Sequence, residues 1–552
     1  MGKSVLAAAA GHEESDCLMR IGPHRVPLRL MTAALALGVF LPLATPVAAQ
    51  ISSFAQSMAE AAAADESVAA FYRSRNYQTL WTGAQDQARR GALLAAFDGA
   101  SLHGLPVARY DAAAFRARFA SVQTEGDVGR LEVDLTRAFL SYARDLQTGV
   151  LEPHKVDAGI LREPVRVDPM LLLAGVQAME PSEFLRNLAP KAPEYARLMK
   201  EKLRLEGLIA AGDAPTYVAG KLQPGDSGPQ VVALRDRLAE LGFLGRTATQ
   251  DYDRLIVSAV QRFQLDQGLN ADGVVGESTV DALNMSAQDR LQSVVVAMER
   301  LRWLGDAPRG SRHIWVNQPD FTAKIVDDGK TTFQTRVVIG KNVPDQRSPE
   351  FSDEMEYMVV NPSWGVPRSI IVKEYLPLLQ KNPNAVGHLQ VVDGNGRVVP
   401  RGSVNFAAYS AGSFPFGLRQ PPSDGNALGK VKFMFPNPNN IYLHDTPTKN
   451  LFANEVRAYS HGCIRLGDPM DFAYTLLARQ SDDPKAEFQA DLDTGRETNV
   501  SFDTHIPVHL VYFTAWPTAK GGIAYRRDVY GRDGRIYDAL TEAGVVLDGV
   551  RG

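Results

Sequence analysis

Ser460-His461-Gly462-Cys463-Ile464-Arg465-Leu466 brings a thiol, an imidazole and a guanidinium into seven consecutive positions. A second imidazole, His444, lies nineteen positions before Cys463. Thiols are weak nucleophiles until they lose their proton, and a nearby imidazole can take it and stabilise the thiolate. Gly462 leaves room for backbone N–H groups to approach a developing oxyanion, with the amides of Gly462 and Cys463 as candidates. Arg465 can hold a carboxylate through paired hydrogen bonds, or can serve in a structural salt bridge. The alternative for the whole string is an inert buried cysteine with histidines that satisfy local hydrogen bonds.

Only Cys17 and Cys463 occur in the chain, so no disulfide framework is available. Arg20, Arg25 and Arg29 precede an apolar run, Leu30 to Leu43, and Val47-Ala48-Ala49 follows it. This reads as a secretory signal over residues 1–49, cleaved after Ala49, with a retained membrane anchor as the alternative. Met19 stands where such a signal would start, which would leave Cys17 outside the protein and Cys463 as its sole thiol.

At 552 residues, the chain is too long for one core and length suggests about three or four domains. Its 45% hydrophobic and 22% charged content is that of soluble globular protein. A net charge of -4 gives no global electrostatic case for nucleic acid. Residues 50–216 read as helical, with apolar positions at three and four spacing, as in Leu131 to Leu140. Residues 217–290 open on the turn-rich Leu222 to Gly228 and then place Val231, Leu234, Leu238 and Leu241 on one helix face. A second helix carries Phe263 and Gln264, and Asp272-Gly273-Val274-Val275-Gly276 makes a turn before a short third.

From about His313 the texture becomes alternating and β-branched, which predicts antiparallel sheet. Residues 291–516 form this β-rich unit. It is interrupted at about 369–420 by an insertion that reads as helical over about Ser369 to Gln380 and then, with Pro383, Gly387, Gly394, Gly396 and Gly402, as loops to about Gln420. Ile441 to His444 and Val508 to Phe513 read as strands, and residues 517–552 as a polar C-terminal extension. The fold class is multidomain α+β. No metal signature is present: His505 and His509 are four apart, but Pro507 between them argues against the helix that a zinc pair would use. No cofactor is expected.

The string from His444 through Ser460-His461-Gly462-Cys463 to Arg465, with fifteen residues between His444 and Ser460, resembles the active-site signature of the L,D-transpeptidase catalytic domain. Phe71-Tyr72-Arg73 through Leu80-Trp81 resembles the start of the helical scaffold of its larger, YcbB-like branch. So does the Asn361-Pro362-Ser363-Trp364-Gly365-Val366-Pro367 string. Residues 222–284 resemble the peptidoglycan-binding domain 1 family, with a ligand-free helical spacer as the alternative. The resemblance implies a helical scaffold, a three-helix module and a β-rich catalytic domain with a capping insertion.

It implies Cys463 as nucleophile, His444 as base and His461 in support. His444 would be held by the Asp445 carbonyl, although the Asp445 carboxylate can reach an imidazole as well. Ser460 would order the turn, and Tyr442, Trp364, Asn361 and Arg465 would form the substrate site. The implied activity joins peptidoglycan stem peptides 3→3, from a tetrapeptide donor to a diaminopimelate amine. Carbapenems are the expected covalent inhibitors, other cell-wall enzymes the expected partners, and the periplasm or envelope of a Gram-negative bacterium the expected location. The rival readings are a hydrolase or lipoprotein-attaching enzyme on the same site, and a non-catalytic wall-binding scaffold.

Overall fold

The computed structural model describes residues 52–212, 214–519 and 521–547. Cys17 and the expected signal over 1–49 lie outside the described residues. Within them, no helix is long and apolar enough to cross a membrane.

Residues 53–210 are helical, and their core gathers Val68, Phe71, Tyr72, Trp81, Leu131, Leu135 and Phe139. The Tyr72–Trp81 segment is held by one buried carboxylate on the helix Glu125–Thr148. Glu132 accepts from Tyr72 Oη at 2.8 Å and from the backbone N–H groups of Leu80 and Thr82 at 2.6 and 2.8 Å. The carboxylate is thus satisfied by one helical tyrosine and by backbone donors of the non-helical stretch 80–82.

The three helices Pro229–Glu240, Arg254–Gln267 and Glu277–Asn284 form a separate small core around Val231, Leu234, Leu238, Val260 and Phe263. The buried amide of Gln264 explains the sequence pattern here. Its Nε2 donates to Asp272 Oδ1 and Val274 O, each at 2.9 Å, and its Oε1 accepts from Gly273 N at 2.9 Å. Gln264 therefore fixes the Asp-Gly-Val-Val-Gly turn. Arg526 ties this module to the β-rich region, donating to Asp266 O and to Asp320.

The β-rich region is built from β1 (Arg312–Asn317), β2 (Thr322–Asp327), β3 (Lys330–Gly340) and β4 (Phe351–Val360). After the insertion, which holds β5 (Trp364–Gly365), β6 (Gln390–Val392), β7 (Val398–Val399) and β8 (Gly417–Gln420), come β9 (Val431–Met434) and β10 (Leu443–His444). They are followed by β11 (Ala458–Ser460), β12 (Ile464–Leu466) and β13 (Thr498–Val511). Nine of these strands form one sheet in the order β11-β3-β12-β10-β9-β4-β13-β1-β2, and β2 also pairs with β3, so the sheet closes on itself. Closure removes exposed edges. Ile314, Ile339, Phe433, Leu443, Ile464, Leu466 and Leu510 face the core, together with Phe472 and Leu476 of the helix Pro469–Leu477.

The helical start of the insertion is present over residues 368–381, and the stretch after it is mostly turn and loop, but the whole is more organised than its composition suggests. It is a folded lobe with its own four-stranded sheet, β5-β8-β6-β7, and its own core of Val366, Ile370, Leu379, Val391, Phe406, Phe414 and Leu418. Its glycines and prolines sit between short strands and turns, so local composition conceals apolar positions that meet only in three dimensions. The C-terminal extension is also not a polar tail. Arg532 and Asp533 begin the helix Arg532–Glu542 and are buried, paired to Glu350 and Arg300 respectively. Charged residues this deeply buried are found paired, which is why their polarity misleads. His509 lies in β13, as the proline reading required, with Nδ1 at 2.7 Å from Ser352 Oγ.

Candidate active site

β10 and β12 run parallel, with Leu443 opposite Ile464 and His444 opposite Arg465. Side chains alternate across a strand with period two. Because Leu443 and Ile464 face the core, Tyr442, His444, Cys463 and Arg465 share the other face. The antiparallel partner β9 sets Lys432 opposite His444, so a second cationic residue joins Arg465 on that face. Sequence reasoning missed Lys432. Its signal was the alternation Val431-Lys432-Phe433-Met434, but nothing local says which strand lies beside it.

The 460–463 turn is held by its own serine. Ser460 Oγ donates to Cys463 O and accepts from Gly462 N at 3.2 Å. Of the two candidate amides, the Gly462 N–H is thus engaged with Ser460, and no acceptor among the described residues takes the Cys463 N–H. Gly462 has φ +114°, and a Cβ there would lie 3.2 Å from Ile441 Cδ1. The turn thus needs glycine for its backbone conformation.

His444 is buried, and its Nδ1 bonds the carbonyl of Asp445. The Asp445 carboxylate is engaged elsewhere, accepting from Lys430 N at 2.8 Å, Thr446 N at 2.6 Å and Lys449 Nζ at 2.7 Å. Of the two expected partners for the imidazole, the carbonyl is therefore the one in place. A carbonyl accepts only from N–H, so Nδ1 carries the proton and Nε2 presents its lone pair.

Burial, reinforced by the Arg465 cation, pushes the His444 imidazole down to about 3, so it is neutral across the usual range. Burial pushes the Cys463 thiol up to about 11, against Tyr442 and the Arg465 charge, which favour the thiolate. Arg465 makes no ion pair among the described residues, and its Nε is buried without a partner. The salt-bridge alternative therefore fails, and the guanidinium is left beside Cys463 with unused donors. Burial of both groups thus favours a thiol and a neutral base over a thiolate and an imidazolium. Alkylation of Cys463 by a small neutral electrophile is accordingly expected to rise about tenfold per pH unit between pH 7 and 10, levelling near 11. A plateau at or below pH 8 would show a preformed thiolate.

His461 is turned away from this pair. Its Nε2 lies 2.7 Å from Glu374 Oε1, in the π-helical turn Ile371–Tyr375 of the insertion. Lys373 beside it pairs with Asp345. The insertion is thus tied to the cysteine turn through His461 and to the loop between β3 and β4 through Asp345. Trp364 sits on β5 at the root of the insertion, packed edge-on against Tyr375 at 6.4 Å. Tyr442 lies between Cys463 and Trp364 and interacts with both; burial and the cysteine raise its phenol.

Asn361 has its amide donors engaged in a structural tie. It adopts φ +51°, and its Nδ2 donates to Leu492 O at 2.9 Å and Asp491 O at 3.2 Å, at the end of the helix Pro484–Asp493. Its backbone N donates to Lys430 O at 2.8 Å. With its donors spent on fixed carbonyls, it ties a strand end to a helix terminus.

Residues 311–484 match the L,D-transpeptidase catalytic domain, residues 227–283 a peptidoglycan binding domain, and residues 66–201 a scaffold domain. A protein of Haemophilus influenzae named as an L,D-transpeptidase is 30% identical over 296 residues, 52% of this chain and 59% of the relative. The chain therefore matches less than two thirds of that relative's length. The solved L,D-transpeptidase of Xylanimonas cellulosilytica is 17% identical, covering 54% of this chain and 98% of its own, with a TM-score of 0.16. That of Stackebrandtia nassauensis is 17% identical, covering 54% and 97%, with a TM-score of 0.22. Superpositions at such scores do not establish a common fold, and the family rests on the sequence match. This chain carries a YkuD L,D-transpeptidase catalytic domain joined to a scaffold domain and a peptidoglycan-binding domain.

Proposed function

We propose that this protein is a cysteine L,D-transpeptidase of the periplasm that forms 3→3 cross-links between peptidoglycan stem peptides. The observation that carries the reading is the placement of Cys463 and a tautomer-fixed His444 on one face of neighbouring strands. In the proposed reaction the Cys463 sulfur attacks the carbonyl of the L-centre of diaminopimelate in a tetrapeptide donor, and the thiol proton passes to His444 Nε2. The carbonyl oxygen, now anionic, is met by the Cys463 N–H. Collapse breaks the C–N bond, and the terminal D-alanine leaves with the proton from His444. The side-chain amine of a second stem then attacks the thioester, giving up its proton to His444, and the Cys463 thiolate leaves and is reprotonated. Covalent catalysis of this kind divides one difficult amide exchange into two easier steps.

Arg465, with donors to spare, binds a substrate carboxylate in this reading, and Tyr442 and Trp364 wall the site. The folded insertion over the cysteine turn favours the amine by excluding water. Incubation with purified disaccharide-tetrapeptide followed by mass spectrometry tests the proposal. Dimer supports cross-linking. Tripeptide alone would make the protein a hydrolase, and unchanged substrate together with no mass gain on Cys463 from a carbapenem would make it a scaffold.

The module over 222–284 is read as the wall-binding part. Its deletion is expected to lower retention on insoluble sacculi, checked by pelleting the deletion protein beside the parent. Equal pelleting by a deletion protein that melts cooperatively would make the module purely architectural.

A further inference from the structure

Ser348 holds the carbonyl of Gly462, the peptide that carries the Cys463 N–H. Its Oγ donates to Gly462 O at 2.6 Å and accepts from Gly340 N at 2.9 Å. The peptide unit is planar and trans, so its C=O and N–H point in opposite directions. Fixing the Gly462 oxygen on one side of the turn therefore fixes the direction of the Cys463 N–H on the other. Among the described residues no acceptor takes that N–H.

Ser348 is itself immobilised from outside the matched residues 311–484. Tyr530 Oη accepts from Ser348 N at 3.2 Å and donates to Gly340 O at 2.7 Å. Arg532 Nη2 donates to Ser348 O at 3.1 Å, and its Nη1 to Glu350 Oε1 at 3.1 Å. Arg300, from the helix Ala287–Leu304, closes the network on Glu350 and Asp533. Ser348, Tyr530 and Arg532 are all at most 1% exposed. The loop between Gly340 and Ser348 folds back so tightly that a Cβ on Gly340 would lie 2.0 Å from Gln346 O. Every polar atom of Ser348 thus has a fixed partner. That is more than a turn needs for stability, and it is what an aimed donor requires.

We propose that Ser348 and Tyr530 are positioning residues that aim the Cys463 N–H at the oxyanion of acyl transfer, so that the C-terminal segment completes the catalytic domain. This rests on the acyl-transfer reading of Cys463. An oxyanion forms when a carbonyl is attacked, but not when sulfur displaces a halide from saturated carbon. The two reactions of one thiol therefore separate aim from reactivity.

The experiment uses the full chain and measures two single-turnover rates on Cys463, acylation by a carbapenem and alkylation by iodoacetamide, each by mass spectrometry. Ser348→Ala is expected to slow acylation about tenfold to a hundredfold, somewhat less than outright removal of an oxyanion donor. Alkylation and its pH profile should stay within about twofold of the parent, since sulfur and its neighbours are unmoved. Tyr530→Phe, which keeps the ring stacked on Tyr512 at 5.6 Å, should act in the same direction more weakly, and Ser348→Thr, which keeps the hydroxyl, should restore acylation. A parallel fall in both rates would show that the variants displace the whole turn, and no fall in acylation would show that the bond aims nothing; either overturns the proposal. A parent protein that is alkylated yet never acylated would instead remove the transpeptidase reading, and this inference with it.

Discussion

Cys463→Ala is expected to abolish turnover on disaccharide-tetrapeptide while leaving the fold intact. Cys463 is the only cysteine among the described residues, and it lies within reach of the Arg465 charge, on the sheet face that also carries His444. The thiol contributes little to stability. It is partly exposed, and its hydrogen bond is a 3.5 Å contact with Asn440 O. Its loss should therefore change stability by roughly 0.5 kcal/mol or less, the range for substitutions away from core features. The check is product analysis by mass spectrometry beside a melting curve. Cross-linking by purified Cys463→Ala at the parent rate would end the covalent mechanism. Loss of activity accompanied by a large fall in Tm would leave it resting on the carbapenem adduct alone.

His444→Ala is expected to slow acylation about a hundredfold to ten-thousandfold, the range for general-base help. The basis is the neutral imidazole with Nδ1 tied to Asp445 O, which leaves Nε2 free to accept the thiol proton. Without it, reaction depends on the small thiolate fraction of a thiol pushed up to about 11. The defect should therefore shrink as pH rises toward 11. His461→Ala should slow the reaction less, because its Nε2 is engaged with Glu374 of the insertion. Single-turnover acylation of the two variants decides the matter, and the reverse order would transfer the base role to His461.

Chemistry was legible in the sequence wherever it rests on residue types at close spacing. The run from Ser460 to Leu466, with His444 before it, presents nucleophile, base and guanidinium without reference to a fold. Helical and β-rich regions were legible too, because the periods of 3.6 and two follow from local backbone geometry. So was the small three-helix module, whose Gln264 and Asp272-Gly273 turn are neighbours in sequence as well as in space.

What the chain alone left open was decided by long-range pairing. The closing of the sheet through β2 and β3, and the register of β10 on β12, choose which face Cys463 and His444 share; a slip of one residue would send one of them to the core. Asn361 looks like a cleft residue in its string, and only the carbonyls of Asp491 and Leu492, far along the chain, make it a structural tie. Beyond Gln380 the insertion reads as loop because its apolar residues are scattered, and it joins a lobe when Val391, Phe406 and Phe414 meet. Arg532 and Asp533 read as surface, yet Glu350 and Arg300 lie more than 180 positions away to pair them. Local sequence fixes periodicity and reactivity because both depend on near neighbours. Burial, aim and partner choice depend on contacts between distant segments, and those exist only once the chain has folded.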